Sequence, residues 1–103
     1  MTIRSAIGAT AVLILSLGAA MPALAYQGEK LASHVKITIV QARAIALTVR
    51  PGRITDEELE RENGGSGYRY SFDIRHGSKT FEVGVDAQTG KVLENALEGP
   101  HPD

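Results

Sequence analysis

Three histidines, a run of acids between positions 56 and 62, and a glycine-rich loop are the residues of this chain whose types could do chemistry. Imidazoles bind zinc or copper when two of them share a helix face or converge with acids. His34, His76 and His101 lie in three separate segments, with no pair at i, i+3 or i, i+4 spacing, and read as solvated surface side chains. Asp56, Glu57, Glu58, Glu60 and Glu62 lack the Asp-x-Asp-x-Asp-Gly order that brings oxygens to one calcium ion, and read as a solvated edge. The loop "NGGSG" (63 to 67) is followed by no lysine and opens no helix, so it is not a phosphate cradle. Nucleophilic catalysis has no cysteine to use and no serine in a Gly-x-Ser-x-Gly elbow. The expectation is a protein that is not an enzyme, with no catalytic residue, no metal ligand and no cofactor. A small metal- or ligand-binding protein using His76 with nearby acids is the alternative.

The N-terminal segment bounds where the protein acts. Arg4, an apolar stretch from Ala6 to Ala20 and the small-residue ending Ala23-Leu24-Ala25 stand in the order of a cleavable signal peptide. The stretch is about 15 residues, short of the roughly 20 needed to cross a bilayer core. Residues 1–25 are therefore expected to be removed near Ala25, leaving a periplasmic or secreted protein without a stable membrane anchor. Their loss takes away Arg4 and no acid, which leaves 10 basic against 12 acidic residues, a formal charge of −2. Nucleic-acid binding normally shows as a clear basic excess, and none exists here. The compartment permits disulfides, but the chain has no cysteine to form one. A domain this small buries only about 60 to 65% of its unfolded surface, so one compact core must carry its stability.

The elements that follow are legible from their periods. Residues 26–36 are polar and aperiodic and read as a flexible leader. Thr38 with Gln41 is a capping-box pair, and a helix is expected from Ile39 to Arg50, ended by Pro51 and Gly52. At about 100° per residue, Ile39, Ala42, Ile45, Ala46 and Val49 form one apolar stripe for the core. Val40, Ala44 and Leu47 form a second, smaller one on the other side. Thr55 with Glu58 resembles another cap, yet Leu59 alone would give such a helix almost no apolar face, so Glu57 to Arg61 reads as an edge strand whose charges deter pairing with other chains. After the turn at residues 63–67, Tyr68, Tyr70, Phe72 and Ile74 alternate strictly with Arg69, Ser71, Asp73 and Arg75, the strongest strand pattern in the chain. Thr80 to Asp86 repeats it with Phe81, Val83 and Val85. Gly77 and Ser78 supply a two-residue turn whose even length sets Ile74 opposite Phe81 and Phe72 opposite Val83. A further turn through Gly90 leads to a last strand, Lys91 to Glu94. Residues 37–95 thus form an α+β domain, one amphipathic helix packed on a three- to four-stranded antiparallel sheet, and residues 96–103 a disordered tail.

Several stretches carry a family likeness: "ITIVQARAIAL" (37 to 47), "PGRI" (51 to 54), "EELER" (57 to 61), "GYRYSFDI" (67 to 74) and above all "FEVGVDAQTGKVL" (81 to 93). Their order resembles the PepSY domain, found in propeptides of thermolysin-like secreted metallopeptidases and as free-standing exported proteins. The resemblance implies a helix against an antiparallel sheet. It also implies a binding or regulatory role, with peptidase inhibition the activity most often proposed for the family, and it brings no catalytic or metal motif. The departure is at Asp56 and Glu57, where members commonly carry apolar or β-branched residues.

Two surfaces are left for a partner. One is the second helix stripe, Val40, Ala44 and Leu47 with Arg43 beside it, which Leu31 or Val35 of the leader could instead cover. The other is the outward sheet face, where Arg69 and Arg75 stand among Ser71, Asp73 and Glu82 in a mixture of signs. The partner expected is another protein of the cell envelope, a peptidase or a sensor whose activity this module inhibits or modulates.

Overall fold

The computed structural model describes residues 25–99. The expected signal peptide and its cleavage point lie almost wholly outside the described residues, as do His101 and the end of the tail. Within that range the chain runs through a 3-10 helix (Glu29–His34), helix α1 (Ile39–Val49) and strands β1 (Arg53–Arg61), β2 (Tyr68–His76), β3 (Lys79–Asp86) and β4 (Val92–Leu97). The strands form one antiparallel meander in the order β1-β2-β3-β4, with α1 on one face.

Local chemistry sets the ends of α1. The Thr38 hydroxyl accepts from the Gln41 amide at 3.1 Å, and the Gln41 side chain accepts from the Thr38 amide at 2.9 Å, a complete capping box. Such a cap is worth about 1 kcal/mol. The helix meets the sheet through Ala42 and Ala46, both fully buried, whose small side chains let its backbone lie close over β2 and β3. Opposite them, Tyr70, Phe72, Ile74, Val83 and Val85 form the core with Leu59 of β1. Ile39 and Ile45 pack on this core as their stripe requires, but Val49, in the last turn, is 38% exposed. Tyr70 joins the sheet to the helix entry, its hydroxyl donating to the Ile37 carbonyl at 2.7 Å. Burial pushes this phenol up to about 12, so it stays a donor at any physiological pH.

The central hairpin has the expected register, with Ile74 paired to Phe81 and Phe72 to Val83. Gly77 takes φ 67° in its two-residue turn, a conformation that L side chains rarely adopt. Strand β1 is longer than the expected Glu57 to Arg61. It begins at Arg53, and Thr55 is an extra residue between the pairs Ile54 with Ile74 and Asp56 with Asp73. This bulge resets the alternation, so that Ile54 faces the core while Asp56 faces away from it.

Two expectations about the ends of the domain are corrected. Residues 26–36 are not a free leader: the Leu59 amide donates to the Gln27 carbonyl at 2.9 Å, and Gln27 bridges to Glu58 in parallel along the outer edge of β1. The approach is so close that a Cβ on Gly28 would collide with the Leu59 carbonyl. Gln88 ties the other end, donating to the His34 carbonyl at 2.8 Å and accepting from the Lys36 amide at 3.0 Å, while Tyr26, Leu31 and Val35 pack on the core. The strand expected to end at Glu94 continues to Leu97, because Ala96 and Leu97 pair with Glu82 and Phe81 and the Glu98 amide donates to the Thr80 carbonyl. The start of the expected disordered tail is therefore part of the sheet.

Candidate partner-binding surfaces

The second helix stripe does not survive as one surface. Val40 is 65% exposed and Ala44 is exposed, but Leu47 packs against the core cluster. Arg43 is committed elsewhere. Its Nε and Nη2 donate to the two Glu57 oxygens at 2.9 and 2.7 Å, a fork that ties α1 to β1. The hydrogen-bonded Glu57 carboxylate raises the guanidinium pKa further, outweighing partial burial. Glu57 thus has a structural task that an apolar residue could not perform.

The two described histidines, His34 and His76, sit in separate settings. His34 lies on the Tyr68 ring with planes 4° from parallel, and the His76 Nδ1 sits 3.1 Å from the Pro51 carbonyl oxygen. Among the described residues, no three His, Cys, Asp or Glu side chains converge as metal ligands. A shallow groove of about 310 Å³ runs beside β1 between Tyr26, Gln27 and the segment Ile54–Glu57.

Asp86 is the most strongly held polar group. It is 1% exposed, and its carboxylate accepts from the amides of Ser66, Gln88 and Thr89 at 2.6, 2.8 and 3.0 Å and from the Ser66 hydroxyl at 2.9 Å. Burial alone would raise its pKa, but these donors overcome that and hold it at about 2. The carboxylate fastens the glycine-rich loop to the β3–β4 turn. Its role is therefore structural, and the serine within "NGGSG" was the available clue.

The outward sheet face differs from the mixed surface expected of it. Asp56, Glu58 and Glu60 of β1, with Glu62 just beyond, stand on the same face as Asp73 of β2 and Glu82 of β3, and β4 adds Glu94 with Glu98 just beyond. Arg69 lies among them, its Nη1 3.5 Å from Glu94 and 3.8 Å from Glu62, its side chain only 14% exposed. Gly84 makes room for it, since a Cβ there would stand 3.0 Å from the Arg69 Cδ. Arg75 is exposed at the far end of the strand, its Nε donating to the Gly77 carbonyl at 3.2 Å. The arginines singled out in the sequence are therefore a partly buried counter-ion and a turn-bracing side chain, while the acids dominate. Glu60, Asp73 and Glu82 all have raised pKa values, first because burial strips water from them, then because neighbouring carboxylates repel their charge, a rise that the Ser71 hydroxyl, donating at 2.8 Å, partly offsets at Glu60. The β1 acids read from the sequence as a solvated edge, whereas the bulge and register set them beside Asp73 and Glu82. Their parity along the strand was the available signal.

No helix of the described residues is long and apolar enough to cross a membrane. No curated protein and no solved structure matches the chain at a significant level. The family model described as "Peptidase propeptide and YPEB domain" matches residues 36–95, the interval that contains α1 and the sheet almost to its last residues. With that match covering more than half of its length, the chain belongs to the PepSY family.

Proposed function

We propose that this protein is a non-enzymatic binding module of the cell envelope that inhibits or modulates another protein there, a peptidase or the sensor part of a signalling protein. Membership of a family of propeptide-type regulatory modules, matched over residues 36–95, carries this reading. The signal-peptide pattern of residues 1–25 supports an extracytoplasmic place for it. The acidic sheet face supports it too. Eight carboxylates on one side of so small a sheet cost stability by mutual repulsion, a burden expected where a surface serves recognition.

The test is reversible crosslinking of the protein in its host, followed by affinity capture from the envelope fraction. The expected result is one envelope peptidase or sensor enriched in proportion to the bait, with its activity changed when the purified protein is added back. Recovery of no envelope protein above a bait-free control, together with unchanged peptidase and signalling activities in a deletion strain, would overturn the reading.

A further inference from the structure

The two edges of the sheet are finished differently. On the β1 side, the Gln27 backbone pairs beside Glu58 and the 3-10 helix packs against the strand, so part of that edge is already occupied. Strand β4 has no such neighbour among the described residues. The bond from the Glu98 amide to the Thr80 carbonyl fixes which backbone groups face β3. By the alternation of an antiparallel ladder, residues 94, 96 and 98 turn their amides and carbonyls toward β3, while those of Asn95 and Leu97 point outward, ready to pair.

The side chains along this edge are sorted by face. On the helix side, Leu97 is 55% exposed beside its partner Phe81, and Val49 is 38% exposed at the end of α1, whose carbonyl accepts from the Asn95 side chain. Those are two of the three large hydrophobic side chains that the described residues leave exposed. On the opposite side, Glu94, Ala96 and Glu98 continue the acidic face through Glu82. Between Leu97 and Val49 the Arg50 guanidinium lies 3.9 Å from the Phe81 ring centroid and donates from its Nε to the Asn95 side chain at 3.0 Å, so this flank is apolar around one engaged cation. An edge with outward backbone groups, exposed Leu97 and Val49 on one flank and acids on the other, specifies a particular occupant.

We infer that β4 is a docking edge for an extended segment of a partner protein that alternates apolar and basic side chains, added as a fifth antiparallel or parallel strand. Its backbone pairs with Asn95 and Leu97, its apolar residues cover Leu97 and Val49, and its lysines or arginines lie over Glu94 and Glu98. The β4 strand of a second copy of this chain lacks the basic side chains that this edge calls for: in the register that pairs Asn95 of one β4 with Leu97 of the other, Glu94 of each would stand directly opposite Glu98 of the other, and like charges so placed repel. This inference rests on the reading of the protein as a binding module and adds to it the surface and the chemistry of the partner.

The experiment uses the purified protein and a peptide of alternating valine and lysine, followed by fluorescence anisotropy and by amide hydrogen exchange. The expected result is saturable binding that weakens with salt, with exchange slowed at Asn95 and Leu97. Leu97→Pro removes one outward amide while sparing the bonds to β3, and should weaken binding about tenfold without lowering the melting temperature. Glu98→Lys should weaken it about fivefold, whereas the matching valine–glutamate peptide should not bind. No binding of the lysine peptide, or binding that ignores Leu97→Pro and protects neither amide, would overturn the inference. So would protection of those amides by self-association of the protein without peptide. If an envelope partner captured by the wild type is retained by Leu97→Pro, the β4 edge is wrong and the binding-module reading survives. If no partner is captured at all, the failure belongs to that reading.

Discussion

Asp86 and the acids of the outward sheet face sit in one small sheet under opposite regimes. Asp86 is buried, yet four donors converge on it and hold its pKa at about 2. Glu60, Asp73 and Glu82 keep partial contact with water, yet their pKa values rise, first because burial strips water from their charge and then because neighbouring carboxylates repel it, with too few donors to offset either. Burial penalises a charge in both places, and what decides the outcome is whether the neighbours donate or repel. The first arrangement strengthens the fold. The second costs stability and leaves negative potential facing outward.

The sharpest way to break this contrast is to remove the Asp86 acceptor. Asp86→Ala leaves the amides of Ser66, Gln88 and Thr89 without their partner, and chemical denaturation should show a loss of about 3 kcal/mol. A smaller effect comes from acid. Because the folded pKa of Asp86 lies below its ordinary 3.8, the carboxylate contributes about 2 kcal/mol at neutral pH, fully present above pH 4 and lost as pH falls through 2. The raised acids act in the other direction. Their folded forms bind protons more readily than the unfolded chain does, so stability should grow as pH drops from 7 through their raised values toward the ordinary carboxylate range. Urea titrations across pH should therefore find maximum stability on the acid side of neutrality, with the fall below pH 4 abolished in Asp86→Asn.

Smaller again is the tie between helix and β1. Arg43→Ala breaks the fork to Glu57, which is partly screened by solvent, and should cost about 1 kcal/mol in the same assay. The outward face should give the smallest effect and the opposite sign. Glu82→Gln relieves repulsion from Glu94, Asp73, Glu98 and Glu62 and should stabilise the protein by about 0.5 kcal/mol.

Much of this fold was legible in the sequence where the signal was local. The Thr38 to Gln41 box, the alternation from Tyr68 to Arg75 and the even-length turn at Gly77 each depend on residues close in the chain, and each stands as expected. The leader was not legible, because what holds it is long-range: Gln88 reaches back to His34 and Lys36, and Leu59 to Gln27. The full length of β4 is hidden for a similar reason, since Asn95, Ala96 and Leu97 have no strand pattern of their own and belong to the sheet through Val83, Glu82 and Phe81. Among the candidate surface residues, Val40 and Ala44 are exposed. Arg43 is engaged by Glu57, and Arg69 by Glu62 and Glu94, pairings that no spacing in the sequence announces. The acidic face escaped notice because its residues come from four strands, and only the register beyond the Thr55 bulge unites them.

The outward acids are proposed to serve a basic partner at a cost to the fold. Glu82→Gln, measured side by side for stability in urea and for affinity toward the valine–lysine peptide, tests this most directly. The variant is expected to be more stable and to bind more weakly. A variant that gains stability with undiminished affinity, or gains none, would contradict it.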